Sequence, residues 1–447
     1  MPRLTIVLAA LLVAGCAVAQ PSPPPAPTPV AGTERPADAP RNLILFIADG
    51  FGPASATLGA AAKGAPLAFD SLLVGAVETS ATDSRVTDSA ASATAYACGL
   101  KTYNGAIGIG PDGTPCRTVL EAAEAAGLAT GLVATSRITH ATPAAFAAHV
   151  PQRADEAGIA RQLATSGVDL LFGGGRRFFT SAPEGAAGGP TLADAMAADG
   201  WAVATDRAGY QGLASLPAAA LLADSHLAYE IDRDETDQPS LADMTRRALD
   251  LLAAQGDGFF LMVEGSRIDH AGHGNDPAAH LRDILAYDEA VAAALAWAAA
   301  DGETLVISTA DHETGGMTLG RDGVYRWDPA PLLAATASFE AMTAAARAGA
   351  DAATVVREGL ALPALPPGME EAIQGAIASG DPYALGPVVR DLASEPAGIG
   401  WTTGGHTAVD VGLYAFGPGA ERFAGRMPND ALGRRLFEAL GFDAPTR

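Results

Sequence analysis

Ser89 stands in the run Val86-Thr87-Asp88-Ser89-Ala90-Ala91-Ser92-Ala93-Thr94-Ala95, behind an acidic residue and ahead of an alanine-rich segment. Helix formers follow it, which predicts a helix N-terminus at Ser89, where free backbone N–H groups and the helix dipole favour an anion. A serine nucleophile there would meet a docked phosphoryl group. The simpler alternative is that Asp88 or Ser89 only caps the helix. Hard oxygen and imidazole ligands gather in four other places: Asp49-Gly50-Phe51-Gly52, Glu264-Gly265-Ser266-Arg267-Ile268-Asp269-His270-Ala271-Gly272-His273, Asp311-His312-Glu313-Thr314-Gly315-Gly316 and Thr403-Gly404-Gly405-His406-Thr407. Zinc takes imidazole nitrogen and carboxylate oxygen at low coordination number, and magnesium prefers an octahedron of oxygens. This inventory serves both. Any one His or Asp in it reads as a satisfied turn or core group, but their coincidence at successive strand ends reads as a metal centre.

The elements that must position these groups alternate along the chain. Residues 43–47, 129–134, 259–263 and 304–309 read as buried strands, and residues 118–126, 241–255 and 281–300 as helices. That order predicts an α/β fold with a mostly parallel central sheet covered on both faces. Asp49, Glu264 and Asp311 then fall at the carboxyl ends of strands, where open α/β sheets build their sites. His406 precedes a strand-like run at residues 411–416. Between the Asp311-His312 pair and His406, residues 338–359 and 369–379 look helical, which predicts a helical cap inserted at about residues 321–400.

Together these motifs resemble those of the alkaline phosphatase family, and the resemblance runs from about Arg41 to the C-terminus. It implies a three-layer α/β sandwich that hydrolyses phosphate monoesters through a phosphoserine intermediate at two zinc ions and one magnesium ion. By that resemblance Ser89 is the nucleophile, Asp269, His273 and His406 hold one zinc, and Asp49, Asp311 and His312 hold the second. Asp49 serves again at the magnesium site with Thr142 and Glu264. Arg153 matches the arginine that grips two phosphate oxygens in this family, a task suited to its planar fork. His140 and His270 stand where the best-known bacterial pattern has an Asp near the third metal and a Lys near the phosphate. The same pair occurs in animal members, and because histidine is a softer neighbour it leaves the third metal's identity open. A homodimer also stays open.

With 28 basic against 51 acidic residues the chain carries a formal net charge of −23, a field that repels a phosphate dianion. The site must therefore supply its own positive charge, as bound divalent ions would. No basic patch with interleaved aromatics points to nucleic acid. Residues 1–15 resemble a bacterial lipoprotein signal, with an apolar run ending in Val13-Ala14-Gly15-Cys16 and lipidation expected on Cys16. An ordinary signal cleaved after Ala19 is the alternative. The run is too short to span a membrane. Residues 16–40, rich in Pro and Ala, read as a semi-rigid tether. Residues 41–447 remain as the catalytic domain, expected outside the cytoplasm and lipid-anchored to a bacterial membrane. Cys98 and Cys116 are then an even pair, either bridged or leaving Cys98 as a buried thiol. Two other functions stay in play. A related phosphodiesterase would share fold and metals, and a phosphate- or metal-binding lipoprotein would use the ligands without turnover. A sulfatase is disfavoured, since Ala91 and Ala93 stand where its Pro and Arg belong.

Overall fold

Short runs of branched and aromatic residues between turns pair into one sheet of ten strands. The computed structural model describes residues 39–181, 189–381 and 384–445. In chain order the strands are β1 (Asn42–Ile47), β2 (Leu73–Glu78), β3 (Ala129–Arg137), β4 (Leu170–Gly174), β5 (Ala202–Ala204), β6 (Ala218–Leu221), β7 (Phe259–Glu264), β8 (Thr304–Thr309), β9 (Val411–Phe416) and β10 (Gly425–Pro428). Their spatial order is β10-β2-β9-β8-β1-β7-β3-β4-β6-β5. Only β9 runs against its neighbours, β8 and β2. Every residue of β1, β7 and β8 is buried, as expected for parallel strands with helices on both faces.

The expected helices form with recognisable end signals. Thr118 caps Val119–Ala125 in a capping box with Glu121. The helix expected at residues 281–300 starts one turn earlier, at Pro277–Asp301. Asp276 accepts from the N–H groups of Ala278 and Ala279 and Pro277 fills the first position, where no donor is needed. Residues 338–359 form two helices, Phe339–Arg347 and Ala352–Gly359, separated at Gly349, whose φ is +104°. With Ala330–Ala334, Met369–Ala378 and Leu385–Ala397 these helices occupy the predicted cap interval. Phe339, Met342, Val356, Ile373 and Val389 give this region an apolar cluster distinct from the sheet core.

Cys98 and Cys116 are bonded, with Cα atoms 5.9 Å apart, so the bridged alternative holds. The bond ties the end of the Ser89–Cys98 helix to the segment ahead of Thr118. The signal sequence, Cys16 and nearly all of the tether lie outside the described residues. Among the described residues no helix is long and apolar enough to cross a membrane.

Candidate active site

Asp88, with extended backbone, is the N-cap of the Ser89–Cys98 helix and accepts the Ala91 N–H at 2.9 Å. Asp88 therefore caps the helix, and Ser89, free of that task, occupies the first helical position. The other Asp88 oxygen accepts from Gly105 N–H and from Arg153 Nη1, each at 3.0 Å. One carboxylate thus orients the serine helix and the arginine together. Every residue of this helix is buried. Tyr96 donates to the Ala310 carbonyl and Ser92 to that of Asp311, clamping the helix to the end of β8. Ser89 Oγ lies 3.3 Å from His312 Nε2.

Three groups of ligand-bearing side chains lie beside the serine: Asp269 with His273 and His406, Asp49 with Asp311 and His312, and Asp49 with His140 and Glu264. Within each group the ligand atoms are mutually inside 4.8 Å. Asp49, Glu264 and Asp311 sit at or just past the ends of β1, β7 and β8, as expected from the sequence. Asp269 and His273 do not sit on a loop; they lie one turn apart on the helix Arg267–Gly274, which puts them on one face. His406 precedes its strand, and it reaches the same sheet edge because β9 is antiparallel. Gly50, at φ +75°, lets the turn after β1 close onto that helix, since a side chain there would meet Asp269 Cα at 2.7 Å.

The hydrogen bonds made by the far ring nitrogens decide which imidazole nitrogens are bare. His273 Nδ1 lies 2.7 Å from the Gly404 carbonyl and His406 Nδ1 lies 2.8 Å from the Thr87 carbonyl. A carbonyl only accepts, so both protons are assigned to Nδ1 and both Nε2 atoms present lone pairs. Those two Nε2 atoms are 3.1 Å apart, with Asp269 oxygens 3.4 and 3.6 Å from them. Four electron-rich atoms converge with no proton among them, an arrangement that calls for a cation. His312 repeats the logic. Thr314 Oγ1 gives its hydrogen to Asp269 Oδ1 at 2.5 Å and so accepts from His312 Nδ1 at 3.2 Å. His312 Nε2 is left facing Asp311 Oδ2 at 3.2 Å and Asp49 Oδ1 at 3.6 Å.

Both Asp49 oxygens, Asp311 Oδ2, Glu264 Oε1 and Thr142 Oγ1 are buried without a hydrogen-bond partner. Orphaned oxygens in such number fit divalent cations better than any protein donor. Charge crowding gives the same answer. Burial, then Asp311, Asp269 and Glu264, push the Asp49 carboxyl well above the usual carboxylate range. Burial, then Asp269, pushes Asp311 up to about 8, and burial pushes Glu264 up to about 7. Asp269 is the exception: burial raises it, but His273, His406 and His270 outweigh that and hold it below its ordinary value. Burial, then the neighbouring His406 and His273, keep His312 neutral, the state a ligand needs.

Arg153 Nη2 lies 3.1 Å from His140 Nε2 while Nη1 holds Asp88, so its fork is held at the serine's edge of the site. His140 belongs to the third ligand group, and its ring stands 5.4 Å from that of His270. The sequence reading missed three residues. His226, in the turn after β6, packs edge-on against His140 and His270 at 5.5 and 4.3 Å and contacts Arg137. Arg267 reaches His270, and Glu340 reaches Arg267. Of these, Arg267 alone left a signal, its one-turn spacing from His270.

The chain matches known proteins along most of its length. The alkaline phosphatase family profile covers residues 40–442. The repressible alkaline phosphatase of Saccharomyces cerevisiae is 40% identical over 428 residues, covering 84% of this chain and 76% of that protein. The crystal structure of Thermus thermophilus alkaline phosphatase superposes with a TM-score of 0.82 at 33% identity, covering 92% of this chain and 93% of that one. A His-to-Asp mutant of TAB5 alkaline phosphatase, with Mg bound in its M3 site, superposes at a TM-score of 0.68 and 29% identity, over 91% and 99% of the two chains. This chain belongs to the alkaline phosphatase family.

Proposed function

We propose that the protein hydrolyses phosphate monoesters by two successive displacements at phosphorus, with Ser89 as the nucleophile and a centre of two zinc ions and one magnesium ion beside it. The observation that supports this reading is the Ser89 hydroxyl at a helix N-terminus, in contact with His312 and flanked by ligand groups that share Asp49. Asp269, His273 and His406 suit one zinc; Asp49, Asp311 and His312 suit the other. Asp49, Glu264 and Thr142, with His140 alongside, suit magnesium. Bound there, the ions would supply Lewis-acid stabilisation of the oxygens that gain charge in each displacement. Turnover of a monoester and a diester, with metal analysis of the same purified protein, tests the reading. Monoester turnover should dominate, with about two zinc per magnesium; a dominant diester rate would favour the phosphodiesterase alternative.

The chain's own residues account for the rest of the cycle. The phosphoryl group docks with two oxygens on the Arg153 guanidinium, which Asp88 holds in place. Ser89 gives its proton to solvent and Oγ bonds to phosphorus as the ester P–O bond breaks. The departing alkoxide takes a proton from water and leaves as the alcohol. Water then adds to the phosphoserine, the Oγ–P bond breaks, and Ser89 recovers its proton as phosphate leaves. Ester and water have become alcohol and phosphate.

Arg153→Ala should raise the monoester KM and the inhibition constant of inorganic phosphate by about ten- to a hundredfold, the scale of charged hydrogen bonds. Diesters, with fewer charged oxygens, should lose less. An equal loss for both, read from steady-state kinetics, would contradict this role for Arg153. His140→Asp adds a hard anion beside Asp49 and Glu264 and should tighten magnesium by about tenfold in a titration. Unchanged magnesium affinity would place His140 outside the third site.

The lipobox ending at Cys16 supports an enzyme anchored outside the cytoplasm on a bacterial membrane. Cys16→Ser should release it from the membrane fraction or leave it unprocessed, with the same activity per molecule. Membrane retention of the variant would refute the anchor.

A further inference from the structure

Arg267 is the first residue of the helix that carries Asp269, His270 and His273, and its side chain is only 3% exposed. The guanidinium carbon lies 3.6 Å from the centroid of the Tyr229 ring, and Nη2 donates to Glu340 Oε2 at 2.7 Å. Nη1 lies 3.1 Å from His270 Nδ1. A guanidinium has donors only and keeps its charge, so His270 Nδ1 must accept and the ring proton must sit on Nε2. His270 packs against His140, whose Nε2 in turn faces Arg153.

The tautomer matters because a phosphate dianion only accepts. An imidazole N–H turned to it is a hydrogen bond, whereas a bare ring nitrogen would repel it. Glu340 belongs to the first turn of the Phe339–Arg347 helix in the cap interval. That turn is also held without Glu340: the Ser338 N–H donates to Asp232 at 2.9 Å and the Phe339 N–H to Asp276 at 2.7 Å. The Glu340 side chain remains 64% exposed. Its substitution therefore leaves the helix docked.

We propose that Arg267 and Glu340 are positioning residues for the phosphoryl group: the pair fixes His270 as the Nε2–H tautomer, which gives the phosphate oxygens held by Arg153 a second, neutral donor. The relay connects the cap interval to the phosphate end of the site. It rests on the reading of Ser89 and Arg153 above, and the first of its two readouts does not depend on turnover.

Nitrogen-15 spectra of histidine-labelled holoenzyme report the His270 tautomer, and inhibition by inorganic phosphate reports the donor. In Arg267→Gln the amide oxygen can accept from Nδ1, so the Nε2–H form should lose its dominance. The phosphate inhibition constant and monoester KM should rise about three- to tenfold, with kcat changed less. Glu340→Gln should move both readouts the same way by a smaller factor. Arg267→Lys, again donors only, should restore the tautomer in part. Unchanged ring shifts and phosphate inhibition in both Gln variants would overturn the proposal, as would a fall in Tm and kcat alone. If Arg267→Gln does not fold, Glu340→Gln decides by the same two readouts. Failure of the underlying reading is distinguishable, because the unaltered enzyme would then show neither phosphate inhibition nor phosphoserine.

Discussion

Ser89→Ala lowers monoester turnover by roughly three to five orders of magnitude while zinc and magnesium content stay at the level of the unaltered enzyme. The size follows from losing the covalent step outright; only direct attack of water on the bound ester remains. The selectivity follows from the geometry. Ser89 is not among the grouped carboxylates and imidazoles, and the helix keeps its cap because Asp88 still accepts from Ala91. Steady-state assays beside metal analysis check both halves. Undiminished turnover would remove Ser89 from the reaction, and a parallel loss of zinc would mean that the serine mainly holds the centre together.

Removal of the metals is expected to have the other large effect. Chelation should take turnover to background, and zinc with magnesium should restore it while magnesium alone should not, because one ligand group offers two imidazoles and the second sets the bare His312 nitrogen beside its two carboxylates. His406→Ala should weaken zinc retention by at least about a hundredfold. The imidazole it removes also stacks on His312, with ring centroids 3.5 Å apart, so the neighbouring group should loosen as well. Loading should release protons and tighten as pH rises, since burial, joined at Asp49 and Asp311 by repulsion from neighbouring carboxylates, leaves Asp49, Asp311 and Glu264 holding protons near neutrality until a cation displaces them. Rescue by magnesium alone would contradict the zinc assignment.

The parts of the site that could be read from the chain are those where one local rule suffices. The apolar run before Asp49 makes a buried parallel strand, so its carboxylate lies at the sheet's ligand edge. Asp88 before an alanine-rich run makes a helix start. His406 was harder, because it precedes β9; the antiparallel course of that strand and the pairing of His406 with Thr314, both tertiary facts, bring it to that edge. The helical stretches at residues 338–359 and 369–379 follow from composition, but the break at Gly349 depends on a backbone turn that an alanine-rich pattern does not mark. Cysteine count allowed the Cys98–Cys116 bond without a distance to decide it. The protonation pattern was out of reach altogether. It depends on the carbonyls of Thr87 and Gly404 meeting His406 and His273 across the fold, and on Arg267, one turn from His270, turning its guanidinium to that ring. His226 and Glu340 have no motif of their own, and act only through what packs against them.

The most direct test is to find the covalent intermediate. The protein is mixed with a phosphate monoester or inorganic phosphate, quenched in acid, digested at Arg85 and Lys101, and the intervening peptide is fragmented by mass spectrometry. That peptide holds both Ser89 and Ser92. The account predicts one phosphoryl group on Ser89, absent from Ser89→Ala; phosphate on Ser92, or active enzyme that never carries phosphate on this peptide, would contradict it.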